Sequence, residues 1–229
     1  MHAFGPERAG QGVELSILGT AVAAGSVANL LGEDFDAPFV ILTSDPNFVI
    51  VLDLGDPMDI STIASIELPA EPTAFAAYPS RAGSSPVGLA VADVAGNLHV
   101  LTNEMQTLEL TSTRVLPEPL DALDRIPTYF DFEYADSLLG RSSASQTAWH
   151  LSLPIDLDGS ITAHPLGIPI DAWHFLALTD IGPDAVFVVS EALGEARNYE
   201  LPELEQVGPN IPLAHPIAEI DYGPVPIEG

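Results

Sequence analysis

The apolar residues of this chain come in short runs, and clusters of Pro, Gly, Asp and Asn break them every 8 to 12 residues or so. Such spacing accommodates strands of about five or six residues and leaves little room for helices, which need about ten or more. The clearest runs are FVILT (39–43), FVIVL (48–52), VGLAV (87–91), LHVL (98–101) and VFVV (186–189). Their Val, Ile, Phe and Leu side chains suit a pleated, buried surface. The pattern predicts an all-β chain with one brief helical turn at EPLDAL (118–123). A length of 229 residues with 47% hydrophobic content can bury a substantial core, and one β domain over 1–229 is expected.

A strand-ending Leu-Pro or Ile-Pro pair recurs at Leu68-Pro69, Leu116-Pro117, Ile168-Pro169 and Ile211-Pro212, at intervals of 48, 52 and 43 residues. Related segments follow three of these pairs: PTAFAAYP (72–79), PTYFDFEYAD (127–136) and DAWHFLALTD (171–180). A period in the forties with about four strands per unit is the pattern of a propeller blade. It predicts about four blades of roughly 47 residues, over 12–69, 70–117, 118–169 and 170–216, with 217–229 as a closing strand. In the first unit, strands are expected near 27–31, 38–43, 48–54 and 62–68. The second unit carries a Gly-Asn hairpin signal at Gly96-Asn97. In the third, RSSASQ (141–146) stands where a hydrophobic strand is expected. VELSIL (13–18) and IAEIDY (217–222) also read as strands, and a ring that completes one blade from both would hide edges otherwise open to pairing. The competing all-β arrangement is a jelly roll or β-sandwich, in which the repeat is only turn spacing.

The phrase FVIVLDLGDPMDISTIASIELPAEPTAFAAYP (48–79) resembles repeats of the LVIVP and YVTN families of β-propellers. In those repeats a strand ending in an aspartate turn leads through a second strand to Leu-Pro and into the next blade. VGLAVADVAGNLHVLTNEMQTLELTSTRVLP (87–117) follows the same order. Because such repeats recur across unrelated proteins, the resemblance implies architecture and no particular activity. YVTN-like propellers include lactonase-type enzymes that gather acidic and Asn ligands around a channel metal. A metal-dependent hydrolase of that type is therefore the alternative to a non-catalytic module.

Charge narrows the setting. The 33 Asp and Glu residues face six basic ones, all arginine (Arg8, Arg81, Arg114, Arg125, Arg141 and Arg197), for a formal net charge of −27. At about 1 M salt the Debye length falls to roughly 3 Å and most of the resulting self-repulsion is screened. The composition resembles that of proteins from salt-in halophiles or their viruses; a GC-rich source, in which arginine codons displace lysine, is the plainer account. A phosphate backbone would be repelled, so nucleic acid is excluded as an expected partner. No cysteine is present, which removes disulfides, thiolate chemistry and sulfur-ligated metals. The uncharged stretch LSILGTAVAAGSVANLLG (15–32) follows Glu14 without a basic cluster and is rich in Gly, Ser, Thr and Asn, so it reads as structure rather than as a leader or membrane span.

Sites are sparse. Asp156, Asp158 and Ser160, around the Gly159 turn, have the alternating oxygens of a calcium loop, whose ion needs several oxygens at about 2.4 Å. Asp-Gly pairs are also ordinary turn formers, and the distant glutamate of an EF-hand is missing. Asp53, Asp56 and Asp59 read as an aspartate turn. The histidines His2, His99, His150, His164, His174 and His215 lack metal-ligand spacing. The tripeptide Ala-Trp-His occurs twice, at Trp149-His150 and Trp173-His174, and strand alternation sends each Trp and its His to opposite faces. The two tryptophans are expected at equivalent core positions, and His150, His164 and His174 would act chemically only by lining one channel. No Gly-x-Ser-x-Gly elbow, Walker loop or GxGxxG occurs, so no catalytic residue and no cofactor is assigned. The expected function is a non-catalytic protein-interaction or structural module in high salt, in a virion or at a cell surface, with protein partners or copies of itself. A mean hydropathy of +0.26 in so acidic a chain favours surfaces buried on assembly.

Overall fold

The computed structural model describes residues 18–27, 30, 38–54, 60–78, 88–104, 107–126, 137–152, 160–176, 185–201 and 203–214. These form four antiparallel sheets of four strands each, and strands follow one another across each sheet in chain order. Blade 1 comprises β1 (Thr20–Ser26), β2 (Pro38–Ser44), β3 (Phe48–Asp53) and β4 (Ser61–Glu67). Blade 2 comprises β5 (Pro72–Tyr78), β6 (Gly88–Asp93), β7 (Asn97–Glu104) and β8 (Thr107–Val115). Blade 3 comprises β9 (Ala122–Ile126), β10 (Ser137–Ser142), β11 (Thr147–Leu151) and β12 (Ile161–Pro165). Blade 4 comprises β13 (Ala172–Leu176), β14 (Ala185–Ser190), β15 (Glu195–Glu200) and β16 (Glu205–Pro212). Four separate meanders overturn the sandwich alternative, which needs strands of two sheets connected in Greek-key order.

Each inner blade is apolar on both faces because it packs against a neighbour on each side. Val40, Leu42, Val49 and Val51 of blade 1 pack with Leu89, Val91 and Leu101 of blade 2. Ala90, Ala92, Leu98 and Val100, on the other face of blade 2, pack with Leu123, Leu138 and Leu151 of blade 3. Ile126, Leu139 and Ala148 continue the series against Val186, Val188 and Tyr199 of blade 4. Hence β6 is buried at all six positions, whereas β16 is exposed at all eight. The first strands β5 and β9 lie side by side, and Thr73 Oγ1 in β5 donates to the Leu120 carbonyl at 2.6 Å, joining blades 2 and 3 where they are nearest.

The repeat is real, but its anchor differs from the Leu/Ile-Pro pairs. The N–H groups of Leu68, Leu116, Leu166 and Leu213 each donate to the turn between the second and third strands of their own blade, at Asn47, Gly96, Gln146 and Gly194. Those leucines are spaced 48, 50 and 47 residues apart. Ile168-Pro169 therefore lies two residues late and Ile211-Pro212 two early, which made the sequence period look uneven.

Other expectations are corrected. The first strand runs over Thr20–Ser26 rather than 27–31; it is mostly exposed, so it carries Ala, Gly and Ser in place of large apolar residues. EPLDAL is extended linker, with Leu120 buried and β9 starting at Ala122, and no helix occurs among the described residues. In RSSASQ, Arg141 and Ser142 end β10 and the rest is a hairpin turn, so the polarity that contradicted a strand belongs to the turn. Blade 3 opens with ALDRI (Ala122–Ile126). Residues 127–136, most of 13–18, and 217–229 with its closing strand lie outside the described residues.

Candidate functional site

The polar side chains concentrate at one recurrent place, the turn between the second and third strands. In blade 2, Asp93 ends β6 and is fully buried. Its Oδ1 accepts the N–H groups of Ala95 (2.9 Å) and Asn97 (2.8 Å), and its Oδ2 accepts Asn97 Nδ2 (2.9 Å) and pairs with His99 Nε2 (2.9 Å). The other ring nitrogen of His99 meets Thr113 Oγ1 at 3.0 Å, so the chain of bonds crosses β6, β7 and β8. Burial alone would raise the Asp93 carboxyl, but the hydrogen bonds from Asn97 and His99 outweigh it and hold the group below the ordinary carboxylate value. Gly96 closes the hairpin at φ +79°, a conformation that side chains resist. The Gly-Asn turn is thus as expected, while His99, passed over by ligand-spacing logic, is a buried structural partner.

Blades 3 and 4 hold the same turn by another route. The aspartate before each first strand reaches over its own blade: Asp121 Oδ2 accepts Ser143 N–H and Asp171 Oδ2 accepts Glu191 N–H, both at 2.7 Å. Arg141 then links the two blades. Its Nε donates to Asp121 Oδ1 at 2.7 Å, its Nη1 donates to the Asp171 carbonyl at 3.0 Å, and its guanidinium lies 6.0 Å from the Trp173 ring centre. Burial raises the Asp121 carboxyl, yet the bonds from Arg141 and Ser143 prevail and lower it.

Both tryptophans anchor seams. Trp149 Nε1 donates to Glu118 Oε1 at 2.6 Å, tying β11 to the linker from blade 2, and Trp173 Nε1 donates to Asp124 Oδ2 at 2.5 Å, tying β13 to β9. Each faces the preceding blade, but Trp149 sits on a third strand and Trp173 on a first strand, so the positions are not equivalent. Replacing Trp173 by Phe keeps the ring and removes the charge-assisted bond; urea titration at fixed salt should show a loss of about 1.5–3 kcal/mol. A neutral outcome would mean that water serves Asp124 equally well.

Of the sequence-predicted site residues, the three histidines do not converge on one place, and only Ser160 of the calcium loop lies within the described residues. Asp156, Asp158, Asp56 and Asp59 lie outside the described residues, as do His2 and His215. Ser160 is exposed, and its backbone N–H donates to Ser152 Oγ at 2.7 Å across the ends of β11 and β12. His174 lies opposite Phe187 on β13, on the face away from blade 3. His150 and His164 do come together, on the outer strands of blade 3 and not with His174: His150 pairs with Thr162 and His164 with Ala148, which places the two rings diagonally on the face turned to blade 4. Burial, with His164 nearby, lowers the His150 pKa; burial also lowers that of His164, against the hydrogen bond its ring donates to the Glu203 backbone. Among the described residues, no group of three His, Asp or Glu side chains stands where it could hold a metal ion, and no helix is long and apolar enough to cross a membrane.

With this geometry in hand, the comparison with solved structures is decisive for architecture. The chain is similar to BBS1N in crystals of its complex with ARL6DN, one soaked with lead (TM-score 0.63, 16% identity) and one with mercury (TM-score 0.59, 15% identity). The fold is a β-propeller. The matches cover 87% and 88% of this chain but 58% and 57% of those chains, so the protein spans less than two thirds of the solved chains it matches. No family model and no curated protein matches the sequence. At such identity the likeness speaks for the propeller alone.

Proposed function

We propose that this chain is a non-catalytic protein-interaction or structural module adapted to high salt, a propeller subunit of a halophilic virus particle or cell envelope. The observation that carries the reading is where the fold spends its surface. Among the described residues, the fourth strands β4, β8, β12 and β16 each stand at the edge of their sheet, and Leu110, Val115, Val207 and Ile211 are exposed on two of them. Edges of this kind pair with other chains. The similar solved propeller, BBS1N, is itself seen in complex with a protein, ARL6DN. The LVIVP- and YVTN-like phrases agree with a scaffold whose repeats carry shape rather than chemistry.

The net charge of −27 supplies the solvent half of the reading. Protein in 3 M KCl is expected to be an assembly heavier than its 24.1 kDa chain, whereas a strict monomer at high concentration overturns the interaction reading. The thermal midpoint should climb as KCl is raised from 0.1 to about 3 M, because the Debye length shrinks from about 10 Å to below 3 Å. Full stability in salt-free water would remove the halophilic half. Metal analysis of protein purified without chelator separates this module from a lactonase-type hydrolase, for which one carboxylate-bound divalent ion per chain is required.

A further inference from the structure

We infer that the seam between blades 3 and 4 is an acid-sensitive latch, worked by His150 and His164. The geometry comes first. Strand register puts both imidazoles on the face of blade 3 that packs against blade 4, diagonal neighbours across β11 and β12, with Ala148 of the seam core opposite His164. Glu203, in the turn between β15 and β16, meets them from the opposite blade and hydrogen-bonds His164 through its backbone. Two rings placed this way cannot both become cations without placing like charges side by side at a packed interface.

The surrounding charges do not cancel that cost. On the same face of blade 3 stand Asp124, engaged by the Trp173 indole, and Arg141, engaged by Asp121 and the Asp171 carbonyl. Strand alternation places Glu195, Arg197 and Tyr199 on the facing side of blade 4, where Arg197 is paired with Glu195. Glu203 favours the protonated rings, but burial opposes it and prevails at both. Salt screens interactions between exposed charges, whereas the loss of hydration on burial survives in concentrated KCl. The latch is therefore suited to the solvent proposed above, although it follows from the seam and does not depend on that proposal.

The sign follows from the direction of the shifts. Both folded-state values lie below the ordinary histidine value of 6.5. Above that value both rings are neutral whether the chain is folded or unfolded. As pH falls through 6.5 the unfolded chain binds protons first, so stability is lost until the folded values are passed. The contact that loosens is the one between blades 3 and 4, the seam on which both rings stand.

The test uses the full chain in 3 M KCl carrying Trp149→Phe, so that Trp173 alone reports on the seam. Between pH 7.5 and 5.5 the urea midpoint should fall and acrylamide quenching of Trp173 should rise. Adding His150→Gln and His164→Gln should flatten both changes. If the double variant fails to fold, His164→Gln alone, at the less buried ring, should remove part of each. A His→Gln variant that keeps the full pH dependence overturns the latch, and so does a falling midpoint with unchanged Trp173 quenching, which would place the proton-sensitive groups elsewhere.

Discussion

Replacing Asp93 by Ala should lower the unfolding free energy by about 3–5 kcal/mol, the largest single-residue loss expected in this protein. The carboxylate is fully buried, and removing it deprives the buried His99 ring and the part-buried N–H groups of Ala95 and Asn97 and the Asn97 amide of their common acceptor. Each buried donor left without a partner costs its own desolvation. Asp93→Asn keeps one acceptor oxygen and should lose clearly less, so the ratio of the two urea midpoints, at fixed salt and pH, measures how much of the effect is charge. Asp93 has a lowered pKa, so its contribution is complete above the ordinary carboxylate value of 3.8 and disappears only as pH falls through the lower folded-state value. A loss below about 1 kcal/mol for Asp93→Ala would show that water enters the turn and takes over the carboxylate's bonds.

The second large effect concerns two adjacent leucines. Leu138 and Leu139 are both fully buried on β10, yet they face opposite ways, Leu138 into the core shared with blade 2 and Leu139 into the core shared with blade 4. Each Leu→Ala change should cost about 2–5 kcal/mol through lost transfer energy and the cavity left behind. Their consequences should differ in place. Leu139→Ala should increase amide exchange in β13–β16, and Leu138→Ala should do so in β5–β8. Matching exchange patterns would mean that the blades unfold as one unit and that the seams are not separate.

That pair of leucines shows why the blade strands were legible. A strand buried on both faces needs apolar residues in succession, so FVIVL, VGLAV and VFVV announce themselves as uninterrupted runs. Where a face is open the code weakens: β1, built from TAVAAGS, is mostly exposed and escaped detection. RSSASQ misled for the complementary reason, since the strand it was asked to supply had already ended at Ser142. His150 and His164 share a face only because β11 and β12 pair in one register, and thirteen intervening residues conceal this. Asp93 and His99, by contrast, are six residues apart across a Gly-Asn turn, and a buried aspartate-histidine pair was within reach of sequence reasoning.

What the linear chain determined by itself is local and compositional: strand length, turn chemistry, the period near fifty, and a net charge of −27. These depend on neighbours in sequence and on sums over residues, both readable without coordinates. Tertiary structure decided the register of strands and the faces on which side chains meet. A shift of one residue in register turns every side chain to the other face. Only the paired sheets could therefore show that Asp121 and Asp171 hold turns, that Arg141 reaches from one blade to the next, and that two histidines share a seam.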